Sequence, residues 1–123
     1  MSGPFTVAVI GASDDPQKYS YLAVSLLKEK GHRVFPVHPS LKELLGLSVY
    51  PSISQVPGPV HTVSLYVASP VSTKIAPEIL AAAPKRILFN PGAENPVFEA
   101  AAVARGIIAL NACMLVMLKT GNF

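Results

Sequence analysis

Val7-Ala8-Val9-Ile10-Gly11-Ala12-Ser13-Asp14-Asp15-Pro16-Gln17-Lys18-Tyr19-Ser20 is the stretch that decides the fold. Four apolar residues in an unbroken run suit a parallel strand covered on both faces, since such a strand has no solvent side to demand alternation. The run stops at Gly11, which leaves no side chain where another backbone or a ligand must come close. After a polar loop, Tyr21-Leu22-Ala23-Val24-Ser25-Leu26-Leu27-Lys28-Glu29-Lys30 has helical spacing, with Ser20 as its expected N-cap. A strand, a glycine turn and a helix N-terminus in succession can hold an anion, because first-turn amides and the helix dipole both favour negative charge. An ordinary strand-to-helix turn fits the same residues, so the stretch is weighed together with the rest of the chain.

The 123 residues match one compact domain, 1–123, and a composition 50% hydrophobic and 14% charged argues against disorder. Ten basic residues against seven acidic ones leave a formal charge of +3, too small and scattered to indicate a nucleic-acid surface. It is compatible with an anionic small ligand. Cys113 is the single cysteine, so no internal disulfide can form and a reducing compartment fits best. Met1-Ser2-Gly3-Pro4 lacks a signal-peptide pattern, and no apolar run approaches the ~20 residues of a membrane span. The expectation is a cytoplasmic protein with no membrane partner.

Outward from the opening stretch, short apolar runs alternate with helical patterns, which is the signature of an α/β fold. Gly31 ends the first helix, and Arg33-Val34-Phe35-Pro36-Val37 reads as a second strand closing at His38-Pro39. Residues 42–45 suggest a short helix, and Leu47-Ser48-Val49-Tyr50 a short edge strand that tolerates Pro51. Thr62-Val63-Ser64-Leu65-Tyr66-Val67 is the next strand by its β-branched content, and Ser69-Pro70 resembles an N-cap and first helical residue. The helix over 71–82 contains Pro77, which is expected to kink or divide it. Arg86-Ile87-Leu88-Phe89-Asn90 reads as a strand, residues 91–95 as its exit loop, 96–105 as an alanine-rich helix, and Ile107-Ile108-Ala109-Leu110 as the last strand. Right-handed crossovers bring the strand C-termini to one edge, where the loops 11–20, 38–42, 67–70, 90–95 and 111–113 converge.

Val-Ile-Gly-Ala-Ser at 9–13, Pro16, Lys18 and Ser20, then Phe35-Pro36-Val37-His38-Pro39, Leu45-Gly46, Val49-Tyr50-Pro51-Ser52 and Gly92-Ala93-Glu94-Asn95, resemble the small CoA-binding domain family in order and spacing. That family is similar to the CoA-binding domain of succinyl-CoA synthetase. The resemblance implies a Rossmann-like, mostly parallel sheet with helices on both faces and strand order 3-2-1-4-5-6, residues 47–50 being the third strand. It implies coenzyme A or an acyl-CoA as the ligand. Gly11, Ala12 and Ser13 would approach the diphosphate, with Lys18 and Ser20 adding a charge and a hydroxyl. Val37, His38, Pro39 and Lys42 would border the adenosine and its 3′-phosphate, and Val67, Ala68 and Pro70 would flank the pantetheine. Gly92 and Asn95 complete the implied site from the loop after the fifth strand. Asn90 stands where family members often carry glutamine, and Leu88 where they often carry tryptophan.

Two function classes follow. The first is a non-catalytic module binding a nucleotide-like small molecule; the second is an NAD(P)-dependent oxidoreductase or a component of an acyl-CoA-using enzyme. The dinucleotide fingerprint Gly-x-Gly-x-x-Gly is missing its second and third glycines, and His38 replaces the acidic ribose partner at the end of the second strand. Both absences favour CoA. A synthetase would also need a nucleotide-activating domain and a phosphoryl-carrying histidine loop, for which 123 residues have no room, so catalysis is expected only with a separate enzyme partner. A homodimer is compatible with the sequence. His, Asp and Glu spacings suggest no metal cage, and Cys113 reads as a small buried residue.

Overall fold

Residues 4–123 are described by the structure, a computed structural model; Met1, Ser2 and Gly3, in which no signal-peptide pattern is read, lie outside it. The opening apolar run becomes β1 (Thr6–Ile10), and the period-2 geometry of a strand divides it between two cores. Ala8 and Ile10 face one core, Val7 and Val9 the other. On one side β1 pairs with β2 (Arg33–Val37), on the other with β5 (Thr62–Leu65), followed by β6 (Arg86–Phe89) and β7 (Ile108–Asn111), all parallel. α1 (Tyr19–Glu29) and α4 (Met114–Thr120) cover the Val7/Val9 face through Ala23, Val24, Leu27, Met114 and Leu118. On the opposite face, α2 (Ser69–Ala82) and α3 (Pro96–Ala104) bury Ile79, Phe98 and Ala102. Helices on both faces explain the unbroken apolar runs, and the fold is the expected Rossmann-like α/β sandwich.

The order β2-β1-β5-β6-β7 keeps the expected neighbours but corrects 3-2-1-4-5-6, because the third strand does not form. Glu43–Leu44 (β3) and Leu47–Ser48 (β4) make a small antiparallel hairpin instead. Its two-residue turn, Leu45-Gly46, has φ of 51° and 78°, the positive pair that closes tight hairpins. That reversal also replaces the helix expected over 42–45. Among the described residues of 43–50, Tyr50 reaches the sheet, as one parallel bridge to Val37.

Proline and capping expectations are corrected in the same way. Pro36 is accommodated because its carbonyl faces outward and accepts from the Tyr50 amide at 3.0 Å, so its missing N–H removes no bond to β1. α2 runs unbroken through Pro77, and both Pro77 and Thr73, whose carbonyl loses the donor, are exposed to water. The N-cap of α1 is Lys18, and that of α2 is Ala68; Ser20 is buried within the first turn of α1. α4 has no counterpart in the sequence reading.

Aromatic and basic side chains gather at the N-terminal edge of the sheet. Phe5 stacks on His61 with ring centroids 4.2 Å apart, Phe123 meets His32 edge-on, and the Arg86 guanidinium lies 4.4 Å from the Phe123 centroid. The Phe5 amide donates to His32 Nδ1 at 3.0 Å, which requires that nitrogen to be unprotonated. Burial, and next the nearby Arg86 charge, lower the proton affinity of both His32 and His61. Below the ordinary histidine value of about 6.5 the unfolded chain therefore binds more protons than the folded one, so stability is complete above that pH and is lost as pH falls through it. The expected result is a melting temperature that drops on going from neutral to mildly acid pH, with a smaller drop in a His32→Gln/His61→Gln variant. An identical slope in wild type and variant would remove the two histidines as its cause.

Candidate functional site

The reversal of strand order between β1 and β5 opens a cleft at the C-terminal edge of the sheet, and Gly11 sits at its floor. Its φ is +88°, and a Cβ there would stand 2.8 Å from Val67 Cγ1 and 3.2 Å from the Tyr66 backbone. The amides of Gly11 and Ala12 both donate to the Val37 carbonyl at 3.2 Å, while the Tyr66 amide donates to the Ile10 carbonyl at 2.9 Å. The glycine is thus required by the close approach of the loops after β1 and β5, and its amide is already engaged.

Beyond it the loop folds on its own polar side chains. Ser13 Oγ accepts from the Asp15 amide, and Asp15 Oδ1 from the Gln17 amide, each at 3.0 Å. Asp15 is therefore a turn-former, and Asp14 and Asp15 are exposed. α1 then starts with no side-chain cap and no acidic residue in its first turn, the amide of Leu22 being the one that reaches back to Lys18. First-turn amides have no intrahelical acceptor, so they carry the positive end of the helix dipole to the cleft.

The cleft has a volume of about 800 Å³. Gly11, Ala12, Ser13, Lys18 and Ser20 line it from the first loop, His38 and Pro39 from the loop after β2, and Val67 from the loop after β5. His38 Nδ1 accepts from the amides of Ser40 and Leu41, each at 3.0 Å, so the neutral ring carries its proton on Nε2. Val37 contributes its carbonyl to the glycine loop and its side chain to an adjoining pocket. Gln17, Tyr19, Tyr66 and Val71 also line the cleft and were missed in the sequence. Gln17 and Tyr19 lie in the converging loop 11–20, and Tyr66 carried a signal as an aromatic residue at the C-terminal end of its strand. Among the described residues its buried hydroxyl has no hydrogen-bond partner, and burial raises the phenol above its ordinary range, keeping it protonated.

Five residues of the expected site are placed elsewhere. Lys42 is exposed at the base of the hairpin, where its carbonyl accepts from the Val49 amide. Ala68 starts α2, its carbonyl accepting from Val71 and Ser72, and Pro70 is exposed in that helix's first turn. Gly92 donates its amide to Glu94 Oε1 at 2.9 Å. Asn95 is 4% exposed and caps α3: Oδ1 accepts from the Phe98 amide, and Nδ2 donates to Ser72 Oγ at 2.8 Å. Asn95 thereby ties α3 to α2, which accounts for its burial away from the cleft. Cys113 is half-buried at the start of α4 with a free thiol. Among the described residues no group of three His, Cys, Asp or Glu could hold a metal ion, and no helix is long and apolar enough to cross a membrane.

Residues 5–119 match the model of a family described as a CoA binding domain. The uncharacterized protein YneT of Bacillus subtilis is 30% identical over 74 residues, 60% of this chain and 55% of that one. The alpha subunit of ADP-forming acetate–CoA ligase II of Pyrococcus furiosus is 43% identical over 58 residues, 46% of this chain and 13% of the subunit. A crystal structure of an uncharacterized protein superposes with a TM-score of 0.92 at 34% identity, covering 99% of this chain and 100% of the other. The match thus spans about half of one curated relative and a small part of the ligase subunit.

Proposed function

The chain belongs to the CoA binding domain family, and from that premise we propose that it binds coenzyme A or an acyl-CoA in the cleft above Gly11. The observation that carries the reading is the α1 N-terminus: uncapped, free of acidic residues in its first turn, and opening onto a cleft lined by Lys18, Ser13 and Ser20. The diphosphate takes the first-turn amides and the Lys18 ammonium. His38 Nε2–H donates to the ribose phosphate region, and Tyr66, Val67 and Val71 give the pantetheine an apolar wall. His38 in place of an acidic ribose partner disfavours NAD, since a carboxylate would be needed to accept from the ribose hydroxyl. We assign the chain no reaction of its own. An acyl-CoA-using enzyme is the partner class, in keeping with the ligase subunit whose sequence it resembles.

Thermal shift tests the ligand: binding stabilises only the folded state, so CoA is expected to raise the melting temperature more than NAD at equal concentration. A larger shift with NAD at every concentration reverses the reading. Lys18 supplies the second test. Because it is exposed, Lys18→Ala should weaken CoA binding by no more than about fivefold, ~1 kcal/mol, and less at higher salt. Pantetheine, which lacks the phosphates, should bind both proteins equally in calorimetry. Equal losses for the two ligands would mark a loop disturbance instead of a phosphate contact.

A further inference from the structure

At the edge of the sheet opposite the cleft, one row of side chains crosses four strands. Thr6 is paired with Arg33, and the registers Val7–Thr62 and Thr62–Arg86 set His61 and Lys85 one step back on that same row. The sheet order β2-β1-β5-β6 therefore lays Arg33, Thr6, His61 and Lys85 side by side, about 5 Å from one strand to the next. Residues in register on parallel strands share a face, and with Pro57, Pro59 and Val60 the four line a pocket of about 320 Å³, at the lower end of the ~300 to 1,000 Å³ of small-molecule sites. Each of the four has a proton to donate. Thr6 Oγ1 accepts from the His61 amide at 2.9 Å, which leaves the hydroxyl hydrogen free. Thr62 Oγ1 accepts from Arg86 Nε at 3.0 Å and lies 2.8 Å from His61 Nδ1, so its own hydrogen goes to Nδ1 and the neutral ring carries its proton on Nε2. Arg33 and Lys85 are exposed cations, and the Arg33 guanidinium rests 5.3 Å from the Phe35 ring centroid. No Asp or Glu is among the described residues that line the pocket, and the charges bearing on His61 are those of Arg86 and Lys85. A pocket of donors and cations with no carboxylate of its own gains most from a group that only accepts and carries negative charge.

We propose that this pocket is a second ligand site, for a small molecule that carries an oxyanion group, a phosphate or a carboxylate. The oxyanion takes the Thr6 hydroxyl and His61 Nε2–H at the centre of the row, and Arg33 and Lys85 close on it from either side. Pro57, Pro59 and Val60 cover the apolar part of the molecule. Thr6 and Gly11 are at opposite ends of β1, about 17 Å apart at the rise of an extended strand, so the pocket fills independently of the cleft and the inference does not rest on the CoA reading.

The experiment is an amide chemical-shift titration of the full chain with inorganic phosphate and with butyrate, against chloride at the same ionic strength. Saturable shifts are expected at residues 6, 33, 61 and 85 with phosphate, butyrate or both; a response to phosphate alone assigns the site to a phosphate-bearing ligand, and one to butyrate alone to a carboxylate. The double variant Arg33→Gln/Lys85→Gln should weaken that binding by roughly tenfold, as for the loss of two exposed charge contacts. Both positions are exposed, so its urea midpoint should match that of wild type and show that the fold is kept. Shifts no larger than those with chloride overturn the proposal, as do shifts confined to residues 11–20, which would give the anion to the cleft. Undiminished affinity in the folded double variant overturns it as well.

Discussion

Gly11→Val should destabilise the fold by roughly 2 to 6 kcal/mol, combining a non-glycine residue held at positive φ with overpacking of a closed contact. The backbone at Gly11 has φ +88°, and the added Cβ would lie 2.8 Å from Val67 Cγ1, with Tyr66 backbone atoms at 3.2 Å. The Tyr66 backbone cannot withdraw easily, since its amide is bonded to Ile10, and the Val67 side chain, which lines the cleft, would have to move as well. Because domains of this size are stable by about 5 to 15 kcal/mol, the variant should be partly or wholly unfolded at moderate temperature. Urea denaturation followed by circular dichroism measures the loss, and a change of under about 1 kcal/mol would contradict the packing argument. Any loss of CoA affinity in this variant reports the folded fraction, so Gly11 serves poorly as a probe of phosphate contact and Lys18 serves better.

Asn90→Leu carries the second large effect, about 3 to 5 kcal/mol, because the Ser64 hydroxyl and the Met114 amide lose their partner at once and the Leu65 carbonyl keeps only the backbone amide of residue 90 at 3.4 Å. The side chain is 1% exposed; Nδ2 donates to Ser64 Oγ at 2.8 Å and to the Leu65 carbonyl at 2.9 Å, while Oδ1 accepts from the Met114 amide at 2.8 Å. One amide therefore joins β5, β6 and the start of α4. Leucine has a similar volume and leaves the hydroxyl and the Met114 amide without partners in an apolar surround. Beyond the lowered urea midpoint, hydrogen exchange should show α4 opening in the variant at a lower free energy than the sheet. If the Met114 segment stays as protected as the sheet while total stability falls by less than about 1 kcal/mol, Asn90 is not the tie it is taken to be. Ser64→Ala in the Asn90→Leu background should cost little further, since the hydroxyl has already lost its bond.

The parts of the fold that were legible were those set by local periodicity. The unbroken apolar run at residues 7–10 marked a strand covered on both sides, the β-branched and aromatic content of 62–67 and the run 86–90 marked two more, and each became an inner strand of the sheet. Gly11 was legible as a position of close approach, although the neighbour that comes close in the structure is the Tyr66–Val67 backbone and side chain. Residues 43–50 were misread because their alternation was real but short. A positive-φ turn at Leu45-Gly46 consumed it in a hairpin, and nothing in the composition announces that leucine would adopt φ of 51°.

The site divides along the same line. Ser13, Lys18 and Ser20 are close in sequence, so one loop and one helix start bring them to the cleft whatever the rest of the chain does. Asn95 and Gly92 sit on a loop at the same sheet edge, yet their polar groups turn to α2, α3 and Glu94, because helix ends and turns need partners before any ligand does. Tyr66 and Val71 could be assigned to a strand end and a helix by spacing, but which side of Gly11 each would face depends on how α2 packs across the sheet. By itself the sequence determined the layered α/β architecture and the glycine loop between β1 and α1, since both follow from short-range periodicity and turn chemistry. The tertiary structure alone decided the Asn90 tie to α4 and the pocket beside the cleft, since each joins residues far apart in the chain, whose meeting no local pattern encodes, whereas the third strand was lost to a hairpin closed within residues 43–48.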